Sequence, residues 1–287
     1  MRNVHFAATQ FACSPDIRAN IEKAKYLVVE AVDLGAQVVL LQELFATQYF
    51  CQDQSPEHFN LAAPLEDNPL LTEMSTLAKE LKVVLPVSFF ERAGHAYFNS
   101  LVMIDADGQV LGLYRKTHIP AGPGYQEKYY FTPGDTGFRV FKTAYGTFGA
   151  GICWDQWFPE CARSMVLMGA EAIFFPTAIG SEPPPAAPFD SRDAWRRVMQ
   201  GHAAANGVPV IASNRVGTEA GATSELTFYG SSFITDATGA IAAEMDRTAE
   251  GVITASFDLD ELAIARAAWG LFRDRRPEMY GALTRHG

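Results

Sequence analysis

Twice in this chain a helix-like segment ends on Gly-Ala, passes one polar residue and runs into a short apolar strand. The two passages are "DLGAQVVLLQELF" and "LMGAEAIFFPTAI". In each, eight positions separate the glycine from the polar residue closing the strand: Gly35 to Glu43, and Gly169 to Thr177. The match is too short to prove a duplication. It predicts two similar halves, each a strand layer covered by helices. Two sheets stacked face to face between those helices would bury the apolar strands.

The rest of the chain fits such a layering. Between Asp16 and Leu34 the apolar residues Ile17, Ile21, Ala24, Leu27, Val28 and Ala31 recur at helical spacing, with Gly35 as a stop. A second helix is predicted from Pro69 to Lys82, with proline tolerated in its first turn. "VVLPVSFFER", "AYFNSLVMID" and "QVLGLYRKTH" are strand-like runs split by turn signals, hence a meander. "FRVFKTAYGTFGAGIC" reads as a hairpin whose second strand ends at Cys153, and "PECARSMVLMGA" as the helix after it. The prolines of "SEPPPAAPFD" exclude helix and central strand. "SRDAWRRVMQGHAAANG" is a helix with Ser191 as N-cap, "VPVIASNRV" a strand, and "TFYGSSFITDATGAIAAEM" a hairpin around "DATG". "GVITASFDLD" is the last strand, followed by a helix through Ala268 and a tail. No linker or low-complexity run interrupts residues 1–287, so one α/β domain is expected.

The formal charge of −10 argues against nucleic acid or an anionic membrane as partner and is compatible with a cationic ligand. No stretch approaches the apolar length of a membrane span. "MRNVHFAATQF" lacks the pattern of a signal peptide. Cys13, Cys51, Cys153 and Cys161 make neither a dense disulfide framework nor a zinc spacing, so reduced thiols and a cytoplasmic location are expected.

Three residues sit where strands stop. Cys153 closes "TFGAGIC" before a helix, and a thiol near a helix N-terminus is activated toward the thiolate. By itself it reads rather as a small buried hydrophobe. Cys161 shares a helical row with Ser164, Met165 and Met168, which suits packing. Glu43 closes "VVLLQE", a partly desolvated place that suits a general base; alone, it reads as a loop carboxylate reaching solvent. Lys116 ends "LGLYRK"; beside a cysteine it would favour a thiolate and an oxyanion, and otherwise it is a surface lysine.

Their order and context decide between these readings. "LLQELF", "GLYRKTHIP" and "GICWDQWFPE" resemble the three motifs of the nitrilase superfamily, the carbon–nitrogen hydrolases with a Glu–Lys–Cys triad. The resemblance runs from "AATQF" to "WGLFRDRRP". It implies a four-layer αββα sandwich with Cys153 as nucleophile and Glu43 as general base and acid. Lys116 would hold the oxyanion, helped by the backbone N–H of Trp154. A second glutamate is expected between lysine and cysteine; Glu127 in "GYQEKYYF" fills it, unless it merely pairs with Lys128. The mechanism implies no metal and no cofactor.

"CWDQWFPE", "PTAIGSEP", "FYGSSF" and "WGLFRDRRPEMY" are similar to the branch of the superfamily that hydrolyses the ureido group of carbamoylated diamines. A carbamoylated amine ends in an ammonium, which needs a carboxylate or an aromatic face. Glu182 is the candidate partner, with Tyr49, Asp155 and Trp154 as pocket lining. Plainer roles exist for each: a solvated loop for Glu182, a helix cap for Asp155, packing for the aromatics. An N-carbamoyl amino acid, such as a ureidopropionate, would instead need a cation, for which Arg192 and Arg196 are the nearby candidates. A non-catalytic binding protein would carry a broken triad, and this one is complete. The resemblance also implies a homo-oligomer, with the aromatic and Arg-rich segment 269–287 suited to an interface.

Overall fold

The computed structural model describes residues 1–181 and 190–285. Strand β1 (Asn3–Gln10) leads to helix α1 (Ile17–Asp33), β2 (Val38–Leu40) and α2 (Pro69–Leu81). The meander β3 (Leu85–Ala93), β4 (Ala96–Ile104) and β5 (Val110–Arg115) precedes a short helix, α3 (Glu127–Tyr130). Hairpin β6 (Val140–Lys142) and β7 (Thr147–Ala150) leads to α4 (Pro159–Leu167), β8 (Ala172–Pro176), α5 (Arg192–Asn206) and β9 (Val210–Ser213). The chain ends with β10 (Val216–Ala220), β11 (Glu225–Tyr229), β12 (Phe233–Thr235), β13 (Ile241–Glu244), β14 (Gly251–Asp258) and α6 (Leu259–Trp269).

One sheet has the order β13-β12-β9-β8-β7-β6. The other half runs β14-β1-β2 and β3-β4-β5, joined where Val38 bridges Val84. The period-2 alternation of strand side chains explains how both faces become buried. Phe6 and Ala8 of β1, Val38 and Leu40 of β2, Phe174 of β8 and Ile211 of β9 meet in one core between the sheets. Their neighbours Ala7, Val39 and Leu41 turn outward onto Ala24, Leu27 and Val28 of α1 and Met74 of α2. Ile173, Phe175, Val210 and Ala212 do the same onto Met165 of α4 and Trp195 and Met199 of α5. The result is the four-layer αββα sandwich.

Helix starts follow local chemistry: Asp16 accepts from the N–H groups of Arg18 and Ala19, and Asn68 from those of Leu70 and Leu71. Three expectations are corrected. The second strand of the hairpin stops at Ala150, and Cys153 opens a 3-10 turn, Cys153–Trp157, ahead of α4. Ser191 does not cap α5 with its hydroxyl; the carboxylate of Asp190 accepts from Arg192 N–H instead. The two-stranded ribbon of β10 and β11 was absent from the sequence reading. Its residues alternate between buried and exposed, but "EAGATSE" carries none of the apolar content of a core strand.

Candidate active site

Three strand ends deliver Glu43, Lys116 and Cys153 to one place. Glu43 lies three residues beyond β2, Lys116 directly follows β5, and Cys153 lies three residues beyond β7. All three are buried, as is Glu127 on α3. Lys116 Nζ donates to Glu43 Oε1 at 2.9 Å and to Glu127 Oε2 at 2.6 Å. Glu127 therefore pairs with Lys116, and the hydroxyl of Tyr49 donates to its other oxygen at 2.7 Å. The lysine's backbone is fixed too: its N–H reaches Asn99 O and its carbonyl accepts from Gly134 N–H, both at 2.8 Å. A side chain at Gly134 would place its Cβ 2.1 Å from Arg115 O, so only glycine permits this approach.

Cys153 has a backbone φ of 42°, a strained value for a non-glycine residue. What holds it there is visible beneath it. Asp155 accepts from Ile152 N–H and His118 N–H, each at 3.0 Å, and from His118 Nδ1 and the Tyr114 hydroxyl, each at 2.7 Å. The turn is thereby tied to the chain that follows Lys116. The main chain at Gly151 passes so close to Phe175, Cys161 and Asp155 that a Cβ there would lie 2.7 Å from the phenyl ring. Gln156 anchors the far side, accepting from Trp195 Nε1 and Thr177 Oγ1.

Electrostatics follow from burial. Burial alone pulls the Lys116 ammonium down, but Glu127 and Glu43 together more than reverse that, so it stays charged. Burial pushes Glu127 up to about 7 against the pull of Lys116, with Glu43 adding to the rise. Burial likewise pushes the Cys153 thiol well above the ordinary range; Glu43 adds to this and Lys116 only partly offsets it. The helix-terminus activation expected from sequence is outweighed, and the resting sulfur carries its proton.

A cavity of about 110 Å³ opens against Cys153 and is lined by Trp154, Tyr125, Glu127, Pro120, Ala178 and Ile179 among others. Three larger hollows, about 610, 420 and 210 Å³, include none of Glu43, Lys116 and Cys153 in their linings. Trp154 lines the cavity against Cys153. Asp155 does not: its carboxylate is fully buried and engaged by four donors, none from a helix beginning at Pro159. Tyr49 is buried behind Glu127 and touches the site through that carboxylate, not through the cavity. Glu182 lies outside the described residues. Arg192 and Arg196 both turn to Glu244 on β13, and Arg192 also pairs with Asp193.

Two further features escaped the sequence reading. Asn99, buried in β4, donates to Glu43 Oε1 at 2.6 Å; its signal is an amide inside the apolar run "FNSLVMI". Arg215, also buried, pairs with Glu219 and donates to the carbonyls of Glu43, Leu44 and Thr47, which fixes the loop carrying Glu43.

A buried thiol at the wall of a small cavity, backed by an ammonium and two carboxylates, forms the candidate site. Residues 6–267 match the model of the carbon-nitrogen hydrolase family. The chain is 57% identical to an N-carbamoylputrescine amidase of Arabidopsis thaliana, over 98% of this chain and 95% of that protein. It is 51% identical to a citrullinase of Francisella tularensis over 99% of each. A crystal structure of a carbon-nitrogen hydrolase from Helicobacter pylori G27 superposes with a TM-score of 0.92, at 39% identity over 99% of each chain. The chain belongs to the carbon-nitrogen hydrolase family, and it is a hydrolase of C–N bonds other than peptide bonds.

Proposed function

We propose that the chain hydrolyses the ureido group of N-carbamoylputrescine to putrescine, carbon dioxide and ammonia. The observation that carries this reading is the cavity wall. Among the described residues it offers aromatic and apolar side chains and the carboxylate of Glu127, and no lysine or arginine. Such a wall suits a neutral ureido group on a cationic chain and gives nothing to a carboxylate end. The two arginines that an N-carbamoyl amino acid would need are held by Glu244. The likeness to a citrullinase favours a second reading, a ureido substrate ending in an amino acid.

In the proposed mechanism the Cys153 thiol passes its proton to Glu43 as sulfur attacks the ureido carbon. The carbonyl oxygen becomes an oxyanion held by Lys116 and the backbone N–H of Trp154. Glu127, held by Tyr49, keeps the ammonium of Lys116 in place. Glu43 returns the proton to the departing nitrogen, releasing ammonia and leaving a thiocarbamate on sulfur. Glu43 then deprotonates water, which attacks the same carbon. The thiol leaves as a carbamate is released, and the carbamate decays to carbon dioxide and the free amine.

Ammonia release from N-carbamoylputrescine, citrulline and N-carbamoyl-β-alanine separates the substrate readings. The highest kcat/KM is expected for the first; a higher value for either of the others overturns the assignment.

The same reading includes a cytoplasmic homo-oligomer packed through the segment 269–287. Supporting it are four unpaired cysteines, and Ile264, Trp269 and Met279 exposed at 70, 76 and 69%. Light scattering on a chain truncated after residue 268 should show a smaller particle than the full chain; equal size contradicts the interface.

A further inference from the structure

Asn99 stands in mid-strand in β4, fully buried, opposite Phe90 of β3. This residue reaches both members of the ion pair beside Cys153, Lys116 through its main chain and Glu43 through its side-chain amide. Its backbone carbonyl accepts the N–H of Lys116 at 2.8 Å and its side-chain Nδ2 donates to Glu43 Oε1 at 2.6 Å, while its side-chain oxygen has no partner among the described residues. Lys116 Nζ donates to that same Oε1 at 2.9 Å. Two donors therefore converge on one oxygen of Glu43, while Oε2 is buried and has no hydrogen-bond partner.

A carboxylate's last torsion is broad and two-fold, so nothing intrinsic to Glu43 distinguishes its oxygens. A single ammonium can bridge both oxygens of a carboxylate. A second donor on Oε1 pins the group and keeps Oε2 open. We propose that Asn99 is a positioning residue that selects Oε2 of Glu43 as the oxygen that takes and returns the proton. This rests on the general-base reading of Glu43 given above. The titratable and charged groups around that carboxylate are Lys116, Glu127, Arg215 and the thiol of Cys153, with Tyr49 and Cys51 close by. The neutral amide of Asn99 can fix the orientation of Glu43 without changing their net charge.

The test compares Asn99→Ala and the near-isosteric, uncharged Asn99→Leu with Glu43→Gln in the full chain, on N-carbamoylputrescine. Both Asn99 variants should lower kcat by about 10- to 100-fold, because a misaimed proton acceptor costs rate. KM should stay within about twofold, since no contact in the substrate cavity is removed. The solvent deuterium isotope effect on kcat should rise above the wild-type value, as proton transfer becomes limiting. Asn99→Leu nearly keeps the side-chain volume and adds no charge, so it decides the matter if Asn99→Ala does not fold. Wild-type kcat in a folded variant, or kcat and KM moving together with an unchanged isotope effect, overturns the role of Asn99. Retained activity in Glu43→Gln overturns the general-base reading itself, whatever Asn99 does.

Discussion

Cys153 and Cys161 lie eight residues apart, and both are buried. Burial pushes both thiols well above the ordinary range. What separates them is their neighbours. Cys161 sits inside α4 against the main chain of Gly151, among Met165, Phe175 and other apolar side chains, and the charges acting on it are the acids Asp155 and Glu160. Cys153 sits on a left-handed turn at a cavity mouth, with a cation and two carboxylates around it. In the proposed mechanism a buried thiol is made useful by an adjacent proton acceptor and an oxyanion partner. Cys161 helps to shape the turn on which Cys153 stands.

The comparison breaks first at the partners. Glu43→Gln should lower kcat by about 10³-fold, the worth of a positioned acid–base group. Lys116→Met should cost about 10²- to 10³-fold, the worth of an oxyanion donor. Lys116→Met also removes the cation that partly offsets burial at Cys153. Labelling of Cys153 by iodoacetamide should therefore rise only in the alkaline range for the wild type, and at still higher pH for Lys116→Met. Labelling already maximal at neutral pH would contradict the protonated resting thiol.

Asp155→Asn sharpens the comparison one layer down. The variant turns an acceptor that serves four donors into a mixed donor and acceptor. A loss of about 2–4 kcal/mol in unfolding free energy is expected, read by denaturant titration, together with reduced kcat. An unchanged midpoint would show that the turn beneath Cys153 holds itself. Cys161→Ala has the smallest expected effect, about 1 kcal/mol of stability for the lost buried sulfur.

The layers were legible because their periodicity is strong. Val38 and Leu40 alternating with Val39 and Leu41 predict a strand covered on both faces, and the structure shows those faces against two different cores. Glu43, Lys116 and Cys153 could be singled out because each sits in a motif whose order resembles the family's, and Glu127 because the resemblance expects a second glutamate between lysine and cysteine. Asp155 was read as lining because sequence adjacency to Cys153 says nothing about direction. In the 3-10 turn the tryptophan faces the cavity while Asp155 turns inward to His118 and Tyr114. Tyr49, Asn99 and Arg215 depend on contacts 78, 56 and 172 positions apart in the chain, which no local pattern carries.

The central claim is that one of two similarly buried thiols does the chemistry. Its most direct test is the rate of ammonia release from N-carbamoylputrescine by Cys153→Ala and by Cys161→Ala, each shown to be folded by circular dichroism. The account predicts no turnover from the first and a rate within about threefold of wild type from the second, as expected for a packing residue away from the reacting atoms. Turnover by folded Cys153→Ala, or its loss in folded Cys161→Ala, would contradict it.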